Sequence, residues 1–312
     1  MSQPSPFGGR KGHHTVKEML NGLWLAPLRG VTIRAFRAVF ADAMREAGFI
    51  GAFTPFIPAN PGVGSSLKSF ADILPQGNGD GQILVPQAIG KDPAALREWC
   101  KTVKSLGYDR ADLNAGCPFP MIRRKGRGSG LMLNPDVLDR MLDVGCSEMG
   151  PGNFSLKTRL GVKHPDEIMS LMPVINRYPL AVLTIHARTA VQMYDGDPDI
   201  SAFENALSAV KAPVMYNGDA QAVAVPKDIP RMIGRGFVRS LANRQDAKEL
   251  LLRYISLSRE ELHSDAHVLG RMKELLSYWC QESSWRNLWT SVKMCRSTDE
   301  LAMVCGIAVP KH

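Results

Sequence analysis

Eight short apolar or β-rich runs, separated by stretches with helical spacing, recur along the first 240 residues, and this alternation constrains the fold more than any single motif. The runs are LWLAPL (23–28), FIGAFTPFI (49–57), ILVPQAI (83–89), RADLN (110–114), FSLKTRL (154–160), LAVLTIHA (180–187), PVMYN (213–217) and PRMIG (230–234). Between them, TIRAFRAVFADAMREAG ends on glycine, DPAALREWCKTVKSLG opens with Asp92 before Pro93 as a cap and first-turn pair, and NPDVLDRMLDVG repeats that device. HPDEIMSLMPVINRY and DISAFENALSAV continue the pattern. Strand–helix alternation means parallel β/α units. Eight of them make an α/β chain with a closed (β/α)8 TIM barrel of about 240 residues the expected fold, with an open doubly wound sheet as the alternative.

A barrel carries its chemistry at the C-terminal ends of its strands. The residues there are Pro27, Gln87, Asn114 with Cys117, Lys157 with Arg159, His186 with Arg188, Asn217 with Asp219, and Gly234 with Arg235. The last two ends carry the glycines of NGD (217–219) and IGRG (233–236). Barrels often bind phosphate with the loops after strands 7 and 8, where glycines let backbone N–H groups approach and an arginine adds a fork of donors. A phosphorylated cofactor is therefore expected.

Composition narrows the setting. No run of 18 apolar residues is present, and MSQPSPFGGRKGHH lacks an apolar signal segment, so a cytoplasmic protein with no membrane partner is expected. The six cysteines, at 100, 117, 146, 280, 295 and 305, form no C-x-x-C pair and suggest neither a metal site nor a disulfide framework. A net charge of +8 suits a polyanionic partner or a solvated basic surface equally well.

The stretches LAPLRGVTIRAFR, VPQAIGKDPAAL, DLNAGCP with GRGSGLML, LKTRLG, TIHARTAVQMYDG, PVMYNGD and MIGRG, spread over residues 23 to 236, resemble the dihydrouridine synthases in their order. In HVLGRMKELLSYW (267–279) the tail looks like the helical, tRNA-gripping domain of these enzymes. The resemblance implies a tail at 1–20, an FMN-binding barrel at 21–242 and a C-terminal helical tRNA-binding domain at 243–312 in a monomer. It leans to the bacterial C-type subfamily, hence to position 16 of the tRNA D-loop.

The implied reaction is reduction of a uridine in tRNA to 5,6-dihydrouridine, with FMN bound, NADPH as electron donor and no metal. The backbone of Ala26, Pro27 and Leu28 and the side chain of Gln87 would meet the isoalloxazine. Lys157 would lie near its pyrimidine edge, with His186 bordering flavin or base. Asn217, Gly218, Asp219, Gly234 and Arg235 would serve the phosphate. Reduction needs a hydride at C6, from flavin N5, and a proton at C5. An ordinary thiol, pKa near 8.5, stays mostly protonated at neutral pH and supplies that proton as a general acid, the role implied for Cys117. Pro118 restricts Cys117 to extended backbone. Asn114 would bond the base, Arg159 or Arg188 would hold base or RNA phosphate, and Arg123, Arg124 and Lys125 of the basic run would meet tRNA phosphates.

Two departures stand out. The segment between NGD and IGRG is short for a helix, and Pro230 at the eighth strand cannot donate to the ladder, which threatens barrel closure there. Trp279, Trp285 and Trp289 read as helix-bundle core, with 285 and 289 on one helical face. Two rivals share parts of the pattern: a flavin barrel acting on a free pyrimidine or another small activated alkene, and a barrel that binds RNA without flavin.

Overall fold

In the computed structural model, the described residues are 20, 22–62, 67–74, 82–219 and 225–308. The strands are β1 (Leu23–Leu25), β2 (Phe49–Phe53), β3 (Ile57–Pro58), β4 (Ile83–Val85), β5 (Gln87–Ile89), β6 (Ala111–Ala115), β7 (Phe154–Gly161), β8 (Leu183–Thr189), β9 (Val214–Asn217) and β10 (Arg231–Ile233). The helices are α1 (Arg34–Val39), α2 (Ala41–Glu46), α3 (Pro93–Ser105), α4 (Pro120–Arg123), α5 (Pro135–Met149), α6 (Met172–Ile175), α7 (Ile200–Ala209), α8 (Arg235–Ser240), α9 (Ala247–Leu262), α10 (Asp265–Trp279), α11 (Trp289–Met294) and α12 (Thr298–Val304).

One sheet holds all ten strands, in the order β3-β5-β6-β7-β8-β9-β10-β1-β2-β4. Two of the eight expected runs are split: β2 and β3 share one run, and Pro86, which has no N–H to give, separates β4 from β5. Because β2 pairs with β4 and β3 with β5, both in parallel, the two ends of the sheet order belong to the same two runs and the ring of eight closes. The strained end closes as well. Pro230 uses its carbonyl, accepting from Tyr216 N at 2.9 Å. Strand β10 then pairs with β9 and with β1, and Ala26 N donates to Ile233 O at 2.8 Å. A proline just ahead of a strand costs the ladder nothing when its carbonyl is the group used.

The chain divides into two compact units, one of Met1–Ala26, Ile50–Gln76 and Ile83–Ile233, the other of Pro27–Phe49, Gly77–Gln82 and Gly234–His312. In the first, Trp24, Phe53, Val85, Met215 and Met232 pack one side of the sheet into an apolar cluster, with Trp24 and Phe53 edge to face at 5.3 Å. Its helices start as their sequences require: Asp92 Oδ1 accepts from Ala94 N at 2.9 Å ahead of α3, and Asp199 Oδ1 from Ala202 N at 2.9 Å ahead of α7. Asn134, expected to repeat that device, makes no side-chain cap; its amide donates to Gly130 O at 3.3 Å instead.

In the second unit, α9 and α10 bury Leu251, Tyr254, Ile255, Met272, Leu276 and Trp279, residues spaced by three and four along their helices. Trp279 meets Trp285 edge to face at 5.0 Å, and Trp285 Nε1 donates to Ala242 O. The expectation for Trp289 is corrected: Trp285 precedes a separate 3-10 turn, so the two do not share a helical face, and Trp289 is only half-buried, with the Lys293 ammonium 5.7 Å from its ring. Among the described residues no helix is long and apolar enough to cross a membrane.

Candidate active site

Register also places the polar residues: Asn217 pairs with Met232 and alternates with Met215, so they lie on the same face as the apolar cluster, nearer the strand ends. Strand pairing places Asn114 beside Lys157 and Lys157 beside Thr184, and two residues further along Arg159 beside His186 and His186 beside Asn217. Five of the residues expected at strand ends are thereby brought to neighbouring rungs, and Gln87 lies beside Asp112 on the next pair of strands.

A chain of amides runs through them. Gln87, fully buried, donates Nε2 to Asp112 Oδ2 at 2.7 Å, and its Oε1 accepts from Asn114 Nδ2 at 2.8 Å. Asn114 Oδ1 in turn accepts from the backbone N–H of Gly116 at 3.1 Å and of Cys117 at 2.8 Å, so it shapes the turn that carries the thiol. Across that turn, Cys117 O accepts from Ser129 N at 3.1 Å and Ser129 Oγ at 2.9 Å. Gly128 has φ +56, and a Cβ there would lie 2.8 Å from Cys117 Cβ, which explains the glycine of the GRG stretch. Cys117 is 7 % exposed. The other five cysteines are buried, and burial pushes Cys100, Cys146 and Cys305 up to about 12 and Cys280 to about 11, with Cys295 also raised, so they are inert thiols.

Two charged groups sit in the wall. Burial, with Arg159 adding to it, brings the Lys157 ammonium down to about 7, against the pull of Asp112. Burial likewise lifts Asp112 to about 7, opposed by the Gln87 hydrogen bond and by Lys157. Lys157 Nζ donates to Asn217 Oδ1 at 2.6 Å, and Asn217 Nδ2 donates to Met232 O at 2.8 Å, so Lys157 is tied through Asn217 to the strand beyond it. Gly218 follows at φ +150, where a Cβ would come 2.7 Å from Tyr216 Oη.

Arg159 and Arg188, both buried, are held largely by backbone carbonyls. Arg159, 2 % exposed, donates to Gly116 O at 2.9 Å and to Thr189 O and Met193 O at 2.9 and 2.7 Å, with Tyr194 5.4 Å from its guanidinium. Arg188 donates to Gly196 O at 2.7 Å, forms an ion pair with Asp219 and lies 3.5 Å from His186 Nε2. Arg124 and Lys125 are exposed and Arg123 half-buried, and Phe119 and Met121 beside them are exposed apolar side chains. In the second unit, Leu28 N donates to Thr32 Oγ1 at 2.8 Å, while Gly234 accepts from Val238 N at 3.1 Å and Arg235 opens α8. Asp112 is the residue that sequence reasoning missed.

The sequence pattern of the family described as dihydrouridine synthase matches residues 24–237. The chain belongs to the dihydrouridine synthase family. It is 29 % identical to a tRNA-dihydrouridine(16) synthase of Cupriavidus necator, over 83 % of this chain and 88 % of that protein. It is 28 % identical to the tRNA-dihydrouridine synthase B of Vibrio cholerae, over 65 % of this chain and 61 % of that one, and 32 % identical to a probable tRNA-dihydrouridine synthase of Staphylococcus aureus, over 54 % and 50 %. The chain thus spans most of the first relative and between half and two thirds of the other two. Among solved structures, an old yellow enzyme homologue from Zymomonas mobilis superposes with a TM-score of 0.51 at 14 % identity over 70 % of this chain and 85 % of that one. A morphinone reductase variant does so with a TM-score of 0.50 at 11 % identity over 70 % and 84 %. This synthase-family chain shares the barrel fold with them.

Proposed function

We propose that FMN and NADPH serve the reaction this chain catalyses, the flavin-dependent reduction of a uridine in tRNA to 5,6-dihydrouridine, and that Cys117 is its proton donor. The observation that carries the proposal is the Cys117 turn, pinned from one side by Asn114 and from the other by Ser129, with the thiol only slightly exposed. When bound, FMN supplies the hydride for C6 of the uracil. Cys117 then delivers its proton to C5 from a turn whose backbone donors are already satisfied, and the thiolate left behind recovers a proton from water.

The wall fits a flavin. Burial holds Lys157 at about 7; its protonated form has three N–H donors, of which Asn217 takes one, and an electron-rich ring edge beside it would favour that form at this buried position. Gln87, one of whose N–H groups is committed to Asp112, offers the other to the ring, and the backbone of Ala26 and the ring of His186 border it. Asn217 and Gly218 take the phosphate on the first unit. Asp219, an anion paired with Arg188, orders that loop rather than touching phosphate. For Pro27, Leu28, Gly234 and Arg235 the flavin assignment rests on the motifs alone. Arg159 and Arg188, wrapped in carbonyls, shape the loops around the base; RNA phosphate falls to Arg123, Arg124 and Lys125. The extent of the match to the relative named for position 16 supports that position, and a cytoplasmic monomer is the setting proposed for the enzyme.

The test is anaerobic. NADPH bleaches the flavin of the purified protein, unmodified tRNA restores its colour and free uridine does not, and dihydrouridine maps to position 16. Cys117→Ala keeps its flavin and is still bleached by NADPH, but tRNA restores the colour about 10² to 10⁴ times more slowly, the range of general-acid catalysis. Recoloration of the variant at the wild-type rate would falsify the proton-donor role.

A further inference from the structure

The amide chain that ends on Cys117 begins at Asp112. Every link has a donor facing an acceptor: the backbone N–H groups of Gly116 and Cys117 face Asn114 Oδ1, Asn114 Nδ2 faces Gln87 Oε1, and Gln87 Nε2 faces Asp112 Oδ2. An amide is asymmetric, so the direction of each member dictates that of the next. The two backbone N–H groups can only donate, which forces Asn114 to present oxygen to them and nitrogen to Gln87, which forces Gln87 to present nitrogen to whatever lies beyond. That last position must be an acceptor, and Asp112 is there, fully buried.

From this geometry we infer that Asp112 is a positioning residue for the reaction: its Oδ2 acts as the terminal acceptor that locks the amide directions of Gln87 and Asn114 and so fixes the turn bearing Cys117. The role is that of an acceptor and not of a negative charge. Asp112 Oδ1 has no hydrogen-bond partner among the described residues, so a proton on Oδ1 leaves the Oδ2 contact to Gln87 in place. Burial lifts this carboxyl to about 7, so the neutral form is readily reached near neutral pH. A neutral side chain of the same shape with an acceptor in the same place should therefore do the work.

Asparagine is that side chain and leucine its apolar counterpart, and the two separate an acceptor from a charge. Asp112→Asn can turn its carbonyl to Gln87 and keep the chain. In Asp112→Leu, Gln87 Nε2 loses its partner, Gln87 and Asn114 are released to flip, and the Cys117 turn loosens. Two readouts report on this. The first is the rate at which iodoacetamide alkylates Cys117 in the purified protein, followed by mass spectrometry of its peptide; the other five thiols, buried and shifted upward, react slowly. It needs neither flavin nor tRNA, so it stands apart from the proposed function. The second, which rests on Cys117 as proton donor, is the rate constant for reoxidation of the NADPH-reduced protein by saturating tRNA.

Expected for Asp112→Leu are a Cys117 alkylation rate raised at least threefold and a reoxidation rate constant lowered at least tenfold, with the tRNA concentration for half-maximal rate changed less than threefold. Expected for Asp112→Asn are both rates within threefold of wild type. An asparagine variant as impaired as the leucine one overturns the inference in favour of a charge acting on Lys157. A leucine variant that matches wild type in both readouts removes Asp112 from any role. Should Asp112→Leu fail to fold, Asp112→Ala takes its place in the comparison. Asp112→Asn alone still decides against the inference if its reoxidation falls more than tenfold. Altered alkylation with unaltered reoxidation would keep the positioning of the turn and instead refute Cys117 as the donor.

Discussion

Gly128→Ala tests whether the Cys117 turn is as tightly determined as its contacts suggest. The new methyl meets two costs. Gly128 sits at φ +56, where an L-residue is disfavoured by about 1–2 kcal/mol. Its Cβ would also lie 2.8 Å from Cys117 Cβ, 2.9 Å from Cys117 O and 3.2 Å from Cys117 N. These neighbours are backbone and a Cβ, not the far end of a flexible chain, so the turn must shift by roughly half an ångström or more, an overpacking cost of about 1–3 kcal/mol. The two sum to about 2–5 kcal/mol. At about 2–4 °C per kcal/mol for a domain of barrel size, the melting temperature falls by roughly 4–20 °C. The strain lands on the thiol, and since a misplacement of about 1 Å can cost on the order of a hundredfold in rate, reoxidation of the reduced flavin by tRNA should slow about 10- to 100-fold while bleaching by NADPH is unaffected. Thermal melting by circular dichroism and stopped-flow absorbance read the two effects separately. A variant that melts within a degree or two of wild type and recolours at the same rate would refute the contact geometry, and a melting shift without a rate change would show that the turn yields on the side away from the thiol.

Replacing Arg123, Arg124 and Lys125 with Gln should weaken tRNA binding and flatten its salt dependence, each lost phosphate contact lowering the log–log slope by about 0.7–0.9; an unchanged slope returns the run to solvent. Lys157→Met addresses pH. Burial holds Lys157 at about 7 against an ordinary 10.5, so between those values the unfolded chain keeps a proton that the folded chain has lost, and stability rises with pH across that window. In the flavin-free protein the variant should lose that part of the rise in urea midpoint from pH 7 to 10, and identical profiles for the two proteins would refute the buried-ammonium reading.

The strands were legible in the sequence because each parallel strand, covered on both faces, must be a short β-rich run, and the eight runs locate the ten strands to within a few residues. The splitting of two runs was less so. Pro86 announces a missing donor, but which neighbour goes without a hydrogen bond depends on the pairing of β4 with β2 and of β5 with β6. Pro230 shows the same limit from the other side: the sequence shows that its N–H is missing, whereas the bond that closes the ladder uses its carbonyl.

That asymmetry accounts for the site as well. Side-chain donors and charges can be read from residue types, so Cys117, Lys157 and the strand-end arginines stand out at once. Backbone carbonyls belong to every residue and therefore mark none. Arg159 and Arg188 look like groups awaiting an anion, yet the carbonyls of Gly116, Thr189, Met193 and Gly196 receive most of what they donate, and no residue type could have signalled it. Asp112 is the converse. An acid in the middle of RADLN reads as an interruption of a strand, because the amide that makes it necessary lies 25 positions earlier on a neighbouring strand. Only the register that sets Gln87 beside Asp112 turns an unfavourable buried carboxyl into the required end of a hydrogen-bond chain. Residues whose partners are backbone, or whose partners are distant in sequence but adjacent in register, are the ones for which three-dimensional pairing carries the information, and in this barrel both kinds converge on the turn that holds the thiol.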